Sequence, residues 1–276
     1  MRDFGIITDS TIENKLLINI FKDASNVSLL FMYEGRFVDE KTIIQNNLNE
    51  SNIFIDSKIN PKGFMDAIIH QKQLGYKRIL ILTSSNILTT SYKEAMLAKS
   101  ILDDDSIDII DTKTFGPGIL YLLETLDNLI KKGLSYSKII DKLNDLIDQS
   151  KTLIITNDYK RLRNHKGFIK CIKPFIKYYI MSKDKDYNLE KIFFKESQLL
   201  NYINLLITNY KGFSKEIKTY IFSGLNVASA KFIQHHLYNF NNQFSANLYE
   251  NISYSILYKC GMNCYGIFLG KEVDDL

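Results

Sequence analysis

Arginine is scarce in this chain. Of 35 basic side chains only Arg2, Arg36, Arg78, Arg161 and Arg163 are guanidinium groups, and the rest are lysines. The forks that clamp phosphates or read base edges are therefore few. The formal net charge of +4 is spread along the chain and forms no stripe, so nucleic acid is not expected as a partner. Long hydrophobic runs are missing as well, and none approaches the ~20 residues that cross a bilayer. The opening, Met1-Arg2-Asp3-Phe4-Gly5-Ile6-Ile7-Thr8-Asp9, reaches an aspartate where a cleavable leader would still be apolar. Cys171, Cys260 and Cys264 are odd in number, which suits a reducing compartment better than a disulfide framework. Together these features predict a cytoplasmic protein.

The familiar catalytic signatures are absent too. There is no G-x-x-x-x-G-K-[ST] loop, no G-x-G-x-x-G after the first strand and no G-x-S-x-G elbow. His235 and His236 are neighbours on a predicted helix, so they point about 100° apart and do not chelate one ion together. Cys260 and Cys264 have no second Cys/His pair, which argues against zinc. No catalytic nucleophile with its base, no metal site and no cofactor is expected.

What is present is ample core material, with 45% hydrophobic residues and 24% charged ones. Short apolar runs at Phe4–Thr8, Val27–Met32, Arg78–Thr83, Ile107–Asp111 and Thr152–Thr156 alternate with amphipathic stretches near 61–74, 90–102, 115–132 and 136–149. Continuous apolar strands separated by helices predict a parallel sheet covered on both faces. Gly116-Pro117-Gly118 reads as a helix entry, and Gly133-Leu134-Ser135 as a corner between two helices. Beyond residue 157 the pattern becomes strand, helix, strand, helix and two further strands, rich in aromatics. The fold expected is α/β: an N-terminal domain over 1–157 with a parallel sheet flanked by helices, and a smaller C-terminal α+β domain over 158–276.

Polar groups gather at the strand ends. Phe4–Thr8 leads into Asp9-Ser10-Thr11, Arg78–Thr83 into Ser84-Ser85-Asn86, and Ile107–Ile110 into Asp111-Thr112-Lys113-Thr114. In an open parallel sheet these carboxyl ends face one side, where ligands bind. Hydroxyls beside helix N-termini suit an anion such as a carboxylate, and each is equally able simply to cap the helix that follows.

The ordered motifs resemble those of the DegV family. Ile6-Ile7-Thr8-Asp9-Ser10-Thr11 is similar to its opening I-V-T-D-S-T, and Glu34-Gly35-Arg36-Phe37-Val38-Asp39 to G-K-x-Y-x-D. Ser57-Lys58-Ile59-Asn60-Pro61-Lys62-Gly63-Phe64 stands where the family has T-S-Q-P-S-x-G-E-F. Ile81–Ser85 with Leu88-Thr89-Thr90-Ser91-Tyr92 resembles I-S-S-x-L-S-G-T-Y, and Ile109-Ile110-Asp111-Thr112 resembles V-x-D-S. Three departures stand out. Asp56 replaces a threonine, Lys259 falls on a histidine, and Gly261-Met262-Asn263 replaces a Gly-Pro-Gly turn.

The resemblance implies a two-domain protein that holds a long-chain fatty acid in a buried tunnel closed by the second domain. It further implies presentation of the carboxylate to a separate ATP-dependent fatty acid kinase, which makes an acyl-phosphate for phospholipid synthesis. The chain itself would then be a binding subunit and not an enzyme, with a transient contact at the membrane surface left open. By carry-over, Ser84 or Ser85 would hold the carboxylate, with Ser57, Ser10, Thr11 and Lys259 as further ligand contacts. Two other readings stay beside it: a divergent member that binds another amphiphile or serves a regulatory role, and an enzyme acting on a small phosphorylated or carbonyl substrate.

Overall fold

The computed structural model describes residues 2–33, 36–40, 53–54, 60–158, 175–211, 217–240 and 245–272. The chain forms two units. The first comprises Met1–Ile147 together with Ser253–Ile256, and the second comprises Asp148–Ile252 with Leu257–Leu276.

The first unit is built on a parallel sheet of four strands, β1 (Phe4–Asp9), β2 (Ser25–Val27), β6 (Arg78–Thr83) and β7 (Ile107–Asp111), in the order β2-β1-β6-β7. One face carries Ile7, Ile79, Ile81 and Ile107. It packs on Phe64 and Ile68 of helix α2 (Lys62–Gln73) and on Ala95 and Ala98 of α3 (Ser91–Leu102). Ile6, Leu80 and Leu82 on the other face are fully buried as well. This two-sided burial is why the strands read as unbroken apolar runs. Helices α1 (Asn14–Ile20), α4 (Gly116–Lys131) and α5 (Tyr136–Gln149) complete the layers, with Pro117 in the first turn of α4.

Val27–Met32 is not the single strand its composition suggests. Residues 25–27 join the parallel sheet, whereas β3 (Leu30–Tyr33) pairs antiparallel with β4 (Arg36–Asp39) and β5 (Ile53–Phe54) in a separate small sheet.

The second unit holds a sheet in the order β10-β9-β8-β13-β11-β12, built from β8 (Lys151–Thr156), β9 (Tyr178–Ser182), β10 (Leu189–Phe193), β11 (Ile217–Ser223), β12 (Asn247–Tyr249) and β13 (Tyr265–Lys271). All its pairings are antiparallel except β11 with β12. Helices α6 (Glu196–Lys211) and α7 (Val227–Phe240) cover one face through Leu199, Ile203, Ile233 and Leu237, against Leu153, Ile155, Ile221 and Ile267. The opposite face presents Ile154, Tyr179, Met181, Tyr220, Phe222 and Phe268, all buried.

The strand at Thr152–Thr156 therefore corrects the expected division after residue 157. It pairs antiparallel with β13 and β9, so it belongs to the second unit, and the boundary lies between residues 147 and 148. An apolar run carries no record of its partners, and only pairing reveals which sheet it joins. A short helix, α8 (Tyr254–Cys260), also escapes the sequence reading; it starts in the first unit and ends in the second.

Candidate functional site

In the first unit the chain leaves β1 toward β2 on one side and leaves β6 toward β7 on the other. The strand order thus reverses between β1 and β6, and the crevice beyond their carboxyl ends is where an open α/β sheet binds ligands. Asp9 closes β1 at this point and is fully buried. Its Oδ1 accepts from the Thr11 N–H at 3.0 Å and the Thr11 hydroxyl at 2.6 Å. Its Oδ2 accepts from the Ser84 N–H and the Ser84 hydroxyl, both at 2.6 Å. Four donors thus converge on one carboxylate and bridge the ends of β1 and β6.

The hydroxyls fall into two groups. Ser84 gives its proton to Asp9, so the 2.7 Å contact between the Ser84 and Thr89 hydroxyls is donated by Thr89. Thr83 donates to the Ile110 carbonyl. These protons are spent internally. Ser85 is different: it is 2% exposed, its oxygen accepts from the Ile87 N–H at 3.3 Å, and its own proton has no acceptor among the described residues. The buried Thr112 hydroxyl likewise only accepts, from the Thr114 N–H, and the Ser91 hydroxyl, fully buried at the start of α3, has no partner among the described residues. Between the two residues that the motif left open, Ser85 is the one with a donor to give.

Capping does not explain these side chains. The N-cap positions of α1, α2, α3 and α4 are Glu13, Pro61, Thr90 and Phe115, and none makes a side-chain capping hydrogen bond. The Thr11 and Ser84 hydroxyls bond to Asp9 instead, Thr89 bonds to Ser84 and accepts from the Ser91 N–H at 3.3 Å, and Thr83 bonds to the Ile110 carbonyl.

The electrostatics carry a counter-current. Burial pushes the carboxyls of Glu94 and Asp111 above the usual range, and the charge of Asp9 adds a smaller push in the same direction to each. Three acidic groups therefore surround a cluster of hydroxyl donors.

Other predicted residues lie elsewhere in the unit. Thr11 stays with Asp9. The Ser10 hydroxyl points to a different carboxylate, donating to Glu40 Oε2 at 2.9 Å and accepting from the Leu29 N–H at 2.9 Å. Ser57 and Asp56 lie outside the described residues. In the second unit, Lys259 is half-buried in the last turn of α8. The turn after it is made by Gly261, whose φ of 105° lies in the region open to glycine, and Cys264 N–H donates back to the Gly261 carbonyl at 3.0 Å. This turn stands where the Gly-Pro-Gly sequence was expected.

Sequence reasoning missed Ser91, Thr112 and Glu40 as polar members of the interior. Ser91 and Thr112 both lie in stretches already singled out by their hydroxyls, but only the hydrogen-bond partners separate the uncommitted groups from the committed ones. Two surface concavities are lined by other residues. One of about 690 Å³ is lined by Arg2, Tyr76 and Arg78, and another of about 640 Å³, in the second unit, by Asn157, Lys177 and Asn263. Among the described residues no group of three or more His, Cys, Asp or Glu could hold a metal ion, and no helix is long and apolar enough to cross a membrane.

Comparison with known proteins agrees with this architecture. A DegV domain-containing protein of Clostridium acetobutylicum is 28% identical over 170 residues, 59% of this chain and 60% of that protein. One from Staphylococcus aureus is 27% identical over 164 residues, 57% of each. The chain thus aligns with less than two thirds of these relatives' length. Among solved structures, a fatty-acid-binding DegV family protein from Thermus thermophilus superposes with a TM-score of 0.79 at 14% identity, covering 98% of this chain and 100% of the other. A stearic-acid-binding protein from Eubacterium ventriosum gives 0.77 at 15% identity, covering 97% and 98%. The fatty acid kinase B3 protein of Streptococcus pneumoniae, loaded with linoleic acid, gives 0.71 at 16% identity, covering 98% and 100%. The family model described as "Uncharacterised protein, DegV family" spans residues 3–271, and with that span over nearly the whole sequence the chain belongs to the DegV family.

Proposed function

We propose that this protein binds a long-chain fatty acid, encloses its acyl chain and presents the carboxyl group to a separate ATP-dependent kinase for acyl-phosphate formation. The observation that carries this reading is the buried Ser85 hydroxyl, with a proton to donate, beside the Asp9–Ser84 bridge at the reversal of strand order. Fatty acids bound in solved DegV proteins support the ligand class, and the fatty acid kinase B3 protein supports the kinase as partner. The energetics are sufficient. Burying about 15 methylenes at ~0.8 kcal/mol each gives on the order of 10 kcal/mol, so the headgroup site has only to orient the ligand.

Denaturing extraction of the purified protein, followed by mass spectrometry, tests the proposal. It is expected to release close to one equivalent of fatty acid. An empty extract, with no thermal shift on adding oleate or palmitate, removes the reading. The Ser85→Ala variant should keep its fold, because the side chain only accepts one bond from Ile87. Its fatty-acid affinity should fall about tenfold to a hundredfold, the worth of one charge-assisted hydrogen bond of about 1.5–3 kcal/mol. Unchanged affinity in a fluorescent fatty-acid titration excludes Ser85.

By carry-over from the DegV motif we further propose Lys259 as a headgroup contact, a cation in place of histidine. Lys259→Ala is then expected to weaken binding more than Lys259→Arg, and equal affinities across both variants and the wild type exclude Lys259.

One observation favours a second reading. Asp9, Glu94 and Asp111 together disfavour an anion near the hydroxyls, which suits an amphiphile with a neutral headgroup, such as a fatty alcohol or amide. The same extraction identifies it by mass.

A further inference from the structure

The Glu40 carboxyl follows β4 and is buried at 3% exposure. Hydroxyls and amides surround it. The Ser10 hydroxyl donates to Oε2 at 2.9 Å and the Ser255 N–H to Oε1 at 3.3 Å, and the Ser253 hydroxyl and the Tyr254 N–H add further hydrogen bonds. The Ser253 and Ser255 hydroxyls bond to each other, and the Tyr254 ring stands edge-on to Phe31 of β3 at 5.7 Å. Ser10 in turn holds the Leu29 N–H. One carboxyl therefore joins the end of β1, the loop before β3 and the start of α8. No charged side chain among the described residues acts on it, and the sole titratable side chain in its hydrogen-bonded shell, Tyr254, reaches it through the backbone N–H.

We propose that Glu40 is a proton-bearing clasp, which fastens the Ser253–Ser255 segment and the start of α8 to the first unit and loosens when it loses its proton. The sequence places this segment far from Glu40, and its neighbours on both sides belong to the second unit, so the clasp secures a short visit of the chain. The donors to Glu40 at 2.9 and 3.3 Å hold an ionised carboxylate less closely than the donors at 2.6–3.0 Å hold Asp9, whereas a neutral Glu40 carboxyl can give its proton to a serine hydroxyl. Burial, opposed by the hydrogen bonds from Ser253, Ser10, Ser255 and Tyr254, pushes the Glu40 carboxyl up to about 7.

The folded-state value lies above the unfolded one, so the contribution is complete below the unfolded value of 4.5 and is lost as pH rises through about 7. The clasp closes in mild acid and loosens toward alkaline pH.

Thermal unfolding of the wild type and Glu40→Gln from about pH 5 to about pH 8 tests the clasp, with hydrogen exchange at the Tyr254 and Ser255 amides. The wild type is expected to lose melting temperature relative to Glu40→Gln as pH rises from about 5 to about 7, with the gap constant above that, and to lose protection at those amides beyond the intrinsic pH effect. Parallel curves and equal protection overturn the proposal. If Glu40→Gln does not fold, carbon-13 titration of the glutamate carboxyls in Glu94→Gln decides. A midpoint near 7 sustains the clasp, and the absence of any glutamate titrating above about 6 overturns it.

Discussion

Asp9→Ala is expected to destabilise the first unit by about 3–5 kcal/mol, the range for removing one side of a buried, fully bonded charged group. The variant strips the acceptor from two N–H groups and two hydroxyls, those of Thr11 and Ser84, in an interior where water does not replace it. It also cuts the side-chain bridge between β1 and β6 at the end of the sheet where the candidate ligand site lies. Asp9→Asn keeps one oxygen acceptor but turns an amide N–H₂ toward two donors, so it should fall between alanine and the wild type. Urea unfolding gives the comparison, and a loss below about 1 kcal/mol for Asp9→Ala would show that the four donors find other partners. The prediction bears on function as well as stability. With Asp9 gone, the proton of Ser84 is freed beside that of Ser85, and the proposed headgroup site loses its fixed orientation.

Gly266→Ala should be equally severe in the second unit. Gly266 lies in the middle of β13, paired with Ile154 of β8 on one side and Phe222 of β11 on the other. An added Cβ would run into the Leu153 carbonyl oxygen and come within 2.5 Å of the Phe222 ring. The first obstacle is the backbone of the neighbouring strand, so no side-chain rotation relieves it, and the strand pairing itself has to give. Overpacking of this kind costs about 3 kcal/mol or more when backbone must move. A melting temperature within a few degrees of the wild type, roughly the effect of 1 kcal/mol, would mean that β8 and β13 separate at little cost. The position also accounts for a sequence oddity. A glycine in a strand is entropically unfavourable, and here it makes room for the aromatic ring of Phe222 over the sheet.

Much of the fold was legible because its signals are local. Period and run length located β1, β6 and β7 and the helices α2 to α7, since burial on both faces demands continuous apolar strands and a single buried face demands helical spacing. The same criteria failed at Val27–Met32, where one apolar run serves two sheets, and at Thr152–Thr156, where a strand of ordinary composition pairs with residues more than a hundred positions away. Helix α8 was missed because its seven residues are mostly buried and show no polar face for a periodicity to reveal.

For the candidate site the division is sharper. Strand ends rich in Ser, Thr and Asp marked the crevice, and ordered motifs marked the family, because both are properties of residue type and spacing. Which hydroxyl is available was decided by tertiary structure alone. Ser84 and Ser85 are neighbours of identical chemistry, yet Asp9, 75 positions away from Ser84, takes the proton of one and leaves the other free. Glu40 was invisible for the same reason: its partners Ser253 and Ser255 reach it through folding, over 215 positions in the case of Ser255. Composition and order determined the architecture, the side of the sheet and the family. Hydrogen bonding between distant segments decided which polar groups are spent on holding the protein together and which keep an unused donor.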